Sequence, residues 1–82
     1  MIGSDVLKVK WRCRRGMLEL DVLLTGFFNA HYAYLTLEMQ IVFKQLLEQD
    51  DQQLYAWLFE KHPVSEPFVD ICQQLIAHYQ TV

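Results

Sequence analysis

The segment at residues 36–47, TLEMQIVFKQLL, decides the fold class, because its apolar residues recur with the period of an α-helix. Thr36 is a candidate N-cap for this helix, and Glu38 falls in the first turn, where an acid is favourable. The apolar residues follow the spacing i, i+3, i+4, i+7, i+8 and share one face: Met39, Val42, Phe43, Leu46 and Leu47. We predict an amphipathic helix that buries this face.

The chain after residue 49 predicts a second helix. Asp50 is followed three residues later by Gln53, a variant of the capping box. His62-Pro63 ends this helix, because the residue before a proline is disfavoured in the helical region. One stripe carries its apolar residues: Leu54, Trp57 and Leu58.

A further helix is predicted near the C-terminus. Ser65 is a candidate cap, and Pro67 is tolerated in a first helical turn. The residues that follow form a continuous apolar face at helical spacing: Phe68, Ile71, Cys72, Leu75, Ile76 and Tyr79.

The N-terminal segment at residues 7–14, LKVKWRCR, alternates apolar and polar residues, which is typical of a half-buried strand. A helix with Val6, Val9 and Cys13 on one face also fits. A lone strand in an otherwise helical chain would have no partner. We therefore predict a helix here, against the local alternation, and leave open whether residues 5–15 are helical throughout.

Another helix is predicted after Gly16. Gly26 lies inside it and disfavours helix by about 1 kcal/mol relative to alanine, so we expect a break or kink there. The apolar face comprises Leu20, Leu23, Leu24, Phe27 and Phe28. The predicted fold is all-α, a small antiparallel bundle of about five helices, with residues 1–82 as a single domain.

Composition limits the kind of protein. The chain has 82 residues, 52% of them hydrophobic and 13% aromatic, enough for a core without metal or disulfide bonds. Cys13 and Cys72 form no CxxC pair, so we predict two buried thiols and a reducing compartment, the cytoplasm. The sequence contains neither a run of about 20 apolar residues nor a secretory signal pattern. We expect a soluble protein that does not insert into membranes.

Charge is unevenly distributed. Residues 1–15 contain five basic residues and one acid, a net charge of +4, whereas residues 16–82 contain two lysines and nine acids, a net charge of −7. A basic arm on an acidic body favours an anionic partner or a solvated helix face. Five basic residues on a chain of net charge −3 do not indicate a nucleic-acid binder.

Catalytic motifs are missing from the sequence. His31, His62 and His78 have no metal-ligand spacing with each other or with the cysteines, so we predict no metal site. No nucleophile elbow or glycine-rich phosphate loop occurs. Asp50-Asp51 is interpreted as a helix start. We predict that the chain is not an enzyme.

The junction around Gly16 is the remaining unusual feature. In a structural interpretation, Gly16 ends the first helix in a left-handed conformation, between basic residues at one helix end and Glu19 and Asp21 at the next helix start. In a functional interpretation, a sharp corner presents Arg15 and Glu19 outward together as a patch for a polar partner. The physical arguments slightly favour the structural one.

The stretch at residues 11–21, WRCRRGMLELD, closely resembles the signature of the succinate dehydrogenase FAD assembly factor family, whose hallmark is Arg-Gly-x-x-Glu. The resemblance extends in order over nearly the whole chain. One departure is that Thr36 and Met39 stand where a Ser-x-x-Glu-like cap would be typical. The downstream matches are Phe27-Phe28, Leu46-Leu47-Glu48, Asp50-Asp51 and the segment at residues 54–58, LYAWL.

This resemblance implies a five-helix, chaperone-like factor. Such a factor promotes covalent attachment of FAD to the flavoprotein subunit of succinate dehydrogenase or fumarate reductase by binding that subunit. FAD would be handled within the partner, not bound stably by the factor, and no residue here is assigned to cofactor binding. Carried over to this sequence, the partner-binding residues are Arg15, Gly16 and Glu19, with the neighbouring Met17, Asp21, Arg14 and Arg12.

An alternative from another class is an antitoxin-like protein that neutralises a toxin partner, since bacterial members of the family have also been given that label. Recovery of a flavoprotein or of a toxin in a pull-down would separate the two. The preferred flavoprotein, the binding of free FAD and the oligomeric state are left open by the sequence.

Overall fold

The computed structural model describes the backbone of residues 2–81 and the side chains of residues 5–80. Over this part of the chain the fold is all-α and contains no strand, which confirms the predicted fold class. The elements are α1 (Ile2–Arg12), α2 (Leu18–His31), a short 3₁₀ helix (Tyr32–Tyr34), α3 (Leu37–Leu46), α4 (Asp51–Phe59) and α5 (Val69–Thr81).

The N-terminal segment is helical, as predicted against its alternating pattern, but α1 ends at Arg12. Val9 and Cys13 are buried, whereas Leu7 and Trp11 on the same segment are 55% and 70% exposed. The alternation therefore does not separate a buried face from a solvent face. Helical packing through Val9 and Cys13 determines the structure.

Helix α2 buries every apolar residue that its spacing predicted, from Leu20 to Phe28. The predicted break at Gly26 is wrong, because the helix runs unbroken from Leu18 to His31. A Cβ at Gly26 would lie 3.4 Å from Nε2 of His78 on α5. Close packing of α5 against this position stabilises the helix and offsets the low helix propensity of glycine.

Two of the three predicted caps are confirmed. Thr36 Oγ1 accepts a hydrogen bond from the Met39 backbone N–H at 3.1 Å and begins α3. Asp50 Oδ1 accepts from the Gln53 N–H at 2.8 Å and begins α4. Each side chain satisfies a backbone donor that the first helical turn leaves without a partner.

The connection between α4 and α5 is longer than predicted. Helix α4 ends at Phe59, and Lys61 follows in a left-handed conformation with φ of 59°. Helix α5 begins at Val69, so the prediction of Ser65 as its cap is wrong. The Ser65 carbonyl instead accepts a hydrogen bond from the Phe68 N–H at 3.0 Å, which closes a turn before the helix.

The core lies where α2, α3, α4 and α5 meet. Phe27 and Phe43 are fully buried, with ring centroids 5.7 Å apart. Trp57 packs on Phe68, with ring centroids 5.6 Å apart. Both cysteines are buried and free, as predicted. Among the helices of the described chain, none has the length and apolar character needed to cross a membrane.

Candidate functional site

Residues 13–17 form a corner between α1 and α2, which we call the Arg15 corner. Arg15 does not extend outward beside Glu19, because its side chain is only 14% exposed. The guanidinium lies against the junction between α3 and α4. The prediction that Arg15 and Glu19 both point outward is therefore wrong for Arg15. Glu19 is exposed on the first turn of α2.

Arg15 joins three elements of the bundle through its guanidinium. Nη2 donates a hydrogen bond to the carbonyl of Leu47, the residue that follows α3. Nη1 lies 3.5 Å from Oδ1 of Asp51, the first residue of α4. A cation at the carbonyl end of one helix and an acid at the amide end of the next both match the helix dipoles. Arg15 thus holds the α3–α4 junction against the corner.

Gly16 is exposed, and its backbone is not left-handed, so the structural interpretation of this glycine is wrong. Helix α1 already ends at Arg12, and the N–H groups of Cys13 and Arg14 hydrogen-bond to Lys10 and Trp11 carbonyls, both at 3.1 Å. A Cβ at Gly16 would meet only Asp51 Oδ2, at an ordinary contact distance of 3.7 Å. Nothing described inside the chain therefore requires glycine at this position.

Arg14 and Asp21 tie the corner to α2. Arg14 Nε lies 3.3 Å from the Asp21 carboxylate, and 63% of the Arg14 side chain remains exposed. The Thr25 hydroxyl donates to Asp21 Oδ1 at 3.3 Å, one turn further along. One basic and one acidic residue on the two sides of Gly16, Arg14 and Asp21, therefore pair directly with each other.

The other predicted residues divide by exposure. Arg12 is exposed, and Met17 is half-buried against the core. Met17 is also the N-cap of α2, although its side chain makes no capping hydrogen bond. Four of the seven predicted residues thus lie in the Arg15 corner, Arg12 ends α1, and Glu19 and Asp21 lie in the first turn of α2. The structure turns Arg15 inward.

Cys13 begins the corner as a fully buried thiol. Burial raises the pKa of Cys13 from 9.0 to about 12, although the nearby Arg15 guanidinium opposes that rise. Burial likewise raises the pKa of Cys72 to about 11. Both thiols are therefore protonated near neutral pH and are poor nucleophiles there.

A groove of about 280 Å³, which we call the Trp11 groove, lies beside the corner between α1 and α2. Sequence reasoning did not assign it, because its residues come from two helices whose relative placement the sequence does not specify. The lining residues are Leu7, Lys10, Trp11, Arg14 and Thr25.

His31 and His78 meet on another face, where His31 Nε2 lies 3.2 Å from His78 Nδ1. Sequence spacing missed this pair because 47 positions separate the two residues. Over the described residues, no group of three or more His, Cys, Asp or Glu side chains is arranged to hold a metal ion.

The arrangement is that of a small helical domain whose exposed corner is fixed from within by ion pairs. The family model described as flavinator of succinate dehydrogenase matches residues 7–80. This match includes the Arg15 corner, all of α2, α3 and α4, and part of α1 and of α5. The chain belongs to this family.

The relatives that share this similarity include three that are each named FAD assembly factor SdhE. The protein of Coxiella burnetii is 44% identical over 69 residues, which covers 83% of this chain and 84% of the relative. That of Mannheimia succiniciproducens is 37% identical over 82 residues, or 100% and 95% of the two chains. That of Haemophilus influenzae is 34% identical over 76 residues, which covers 93% of this chain and 89% of the relative. No solved structure matches the chain.

Proposed function

We propose that this chain promotes covalent attachment of FAD to the flavoprotein subunit of succinate dehydrogenase, and of fumarate reductase, by binding that subunit. The family match over residues 7–80 is the observation that carries the proposal. The names of the relatives describe FAD assembly and support it against the antitoxin alternative.

The exposed surface formed by the Arg15 corner and the first turn of α2 supports a direct contact with the flavoprotein. Gly16 and Glu19 are exposed, and the absence of a side chain at Gly16 lets a partner backbone approach closely. Arg15 acts on the contact indirectly, by fixing the corner through Leu47 and Asp51. Arg12, Arg14, Met17 and Asp21 complete the proposed contact surface.

The proposed mechanism is conformational, not chemical. A domain that binds one arrangement of the flavoprotein shifts the population toward that arrangement. Covalent flavinylation needs a preorganised site that stabilises the negative charge developing on the flavin. We propose that FAD and the reacting groups belong to the flavoprotein. The protonated state of both cysteine thiols supports a non-catalytic role for this chain.

Co-expression of the flavoprotein with this chain, in a cytoplasm that lacks any other assembly factor, tests the proposal. In-gel fluorescence under denaturing conditions measures the flavin that stays covalently attached. We expect wild-type chain to raise this signal and Glu19→Ala to lower it. Glu60→Ala removes an exposed acid at the end of α4 and is the matched control, with an expected wild-type signal.

The result that would overturn the proposal is the same covalent flavin signal with and without the wild-type chain. Gly16→Arg is a second variant, because a Cβ at this exposed position would meet only Asp51 Oδ2, at an ordinary contact distance of 3.7 Å. We expect a folded protein, by circular dichroism, that no longer supports flavinylation.

A further inference from the structure

Two large apolar side chains that line the Trp11 groove are exposed. Trp11 is 70% exposed and Leu7 is 55% exposed on α1. From α2, Thr25 also lines the groove. Large apolar side chains grouped at a surface groove are typical of protein contacts, and tryptophan is enriched among the residues that dominate binding energy.

Positive charge borders this apolar surface. Lys10 and Arg14 line the groove itself, and 63% of the Arg14 side chain is exposed although its Nε is paired with Asp21. The segment 1–15 carries a net charge of +4, whereas the rest of the chain carries −7. The groove therefore combines an apolar floor with a cationic rim, on the positive part of an acidic protein.

Two other occupants fit this charge pattern poorly. A symmetric dimer through the groove would place Lys10 and Arg14 of one copy near the same residues of the other, and like charges in contact disfavour association. Nucleic acid would meet two basic residues in the groove and a body of net charge −7. An acidic protein segment that carries an apolar side chain complements both the floor and the rim.

We propose that the Trp11 groove binds an acidic segment of the partner flavoprotein, with an apolar side chain of that segment packed against Trp11 and Leu7. Carboxylates of the segment then face Lys10 and Arg14. This inference rests on the proposed function, because it takes the flavoprotein as the partner. It adds a second contact, continuous with the Arg15 corner through Arg14, that the Arg-Gly-x-x-Glu hallmark does not include.

The test measures the affinity of the purified chain for the FAD-free flavoprotein subunit by calorimetry. Trp11→Ala should weaken binding at least about tenfold, as expected for a central apolar contact. Leu37→Ala is its matched control, because Leu37 is 80% exposed and does not line the Trp11 groove. Both substitutions are at exposed positions, so circular dichroism should show a folded bundle.

The charge on the rim is tested separately. Lys10→Glu should weaken binding several-fold and reduce its dependence on salt concentration, because an attractive pair across the interface is lost. Lys8→Glu makes the same change of charge on the same helix at an exposed position that does not line the groove. Its affinity should stay within about twofold of wild type, since surface charges away from a contact contribute little.

Fluorine NMR of chain labelled with 5-fluorotryptophan locates the contact directly. The chain has two tryptophans, and Trp57 is only 7% exposed, so the solvent-accessible signal belongs to Trp11 and disappears in Trp11→Phe. We expect flavoprotein binding to shift the Trp11 signal and to remove its relaxation by a soluble paramagnetic reagent.

The outcomes distinguish this inference from the proposed function. Binding of the flavoprotein with wild-type affinity by both Trp11→Ala and Lys10→Glu, while Trp11 stays accessible, overturns the groove contact and leaves the proposed function standing. Failure of wild-type chain to bind the flavoprotein or raise its covalent flavin overturns both. Protection of Trp11 by raised chain concentration alone assigns the groove to a second copy and overturns the groove contact.

Discussion

Replacement of Arg15 by alanine should destabilise the bundle, although Arg15 belongs to a segment expected to face a partner. The lost hydrogen bond to the Leu47 carbonyl is charge-assisted and contributes about 1.5–3 kcal/mol. The partly exposed pair with Asp51 adds about 0.5–1 kcal/mol. Arg15 Nε is buried without a hydrogen-bond partner in the described chain, and relief of that penalty offsets about 1 kcal/mol. The net loss is about 2 kcal/mol.

Urea denaturation followed by circular dichroism measures this loss of stability. The Tm should fall by roughly 8–16 °C for a domain of this size. Glu19→Ala is the comparison within the same segment, and its effect should stay within about 0.5 kcal/mol because Glu19 is exposed. An Arg15→Ala protein as stable as Glu19→Ala would refute the bridging role of Arg15. A double-mutant cycle with Asp51→Ala should give a coupling of about 0.5–1 kcal/mol.

Three further predictions concern the core, a cap and the thiols. Phe43→Ala should lower the free energy of unfolding by about 3–5 kcal/mol in a urea titration, because Phe43 is fully buried. Tyr34→Ala is the control and should change this free energy little, because Tyr34 is 86% exposed. Asp50→Ala should cost about 1 kcal/mol through loss of the α4 cap, and an unchanged urea midpoint would contradict this. Above about pH 9 the unfolded chain loses its thiol protons, whereas folded Cys13 and Cys72 keep theirs to about pH 12 and 11, so stability should fall as pH rises. The slope is about 1.4 kcal/mol per pH unit for each thiol, and a Cys13→Ala, Cys72→Ala protein should lack it. Urea midpoints of the wild-type and double-variant proteins are compared at pH 8, 9 and 10. If both midpoints changed equally with pH, the raised pKa values of the two thiols would be contradicted.

The elements of this fold were predictable where one local signal dominates. Thr36 and Asp50 begin their helices because a side-chain oxygen three residues before a backbone N–H satisfies that donor locally. The prediction of a break at Gly26 was wrong, because helix propensity is a weak preference. Packing against His78 on α5, a helix distant in sequence, overrides it. The start of α5 was misplaced because Ser65 closes a turn through its carbonyl, which the residue type does not reveal.

The candidate site shows the same limit more sharply. Its members could be named from the sequence, because Arg15 and its neighbours are adjacent in the chain. The direction of the Arg15 side chain could not be predicted, since it depends on a carbonyl 32 residues away. The His31–His78 pair and the Trp11 groove are likewise products of helix packing. Local sequence therefore named the candidate residues but not their division between inward and outward contacts.

The span of the Arg15 bridge has a consequence for when the corner can form during synthesis. Arg15 leaves the ribosome 32 residues before Leu47, its hydrogen-bond acceptor. At about 5–20 residues per second, the corner lacks its anchor for seconds of translation. A contact of such long sequence separation is also formed late relative to local helical turns. The corner thus becomes rigid only after α3 and α4 have been made and docked, so truncated chains that end before residue 47 should not compete for the proposed partner.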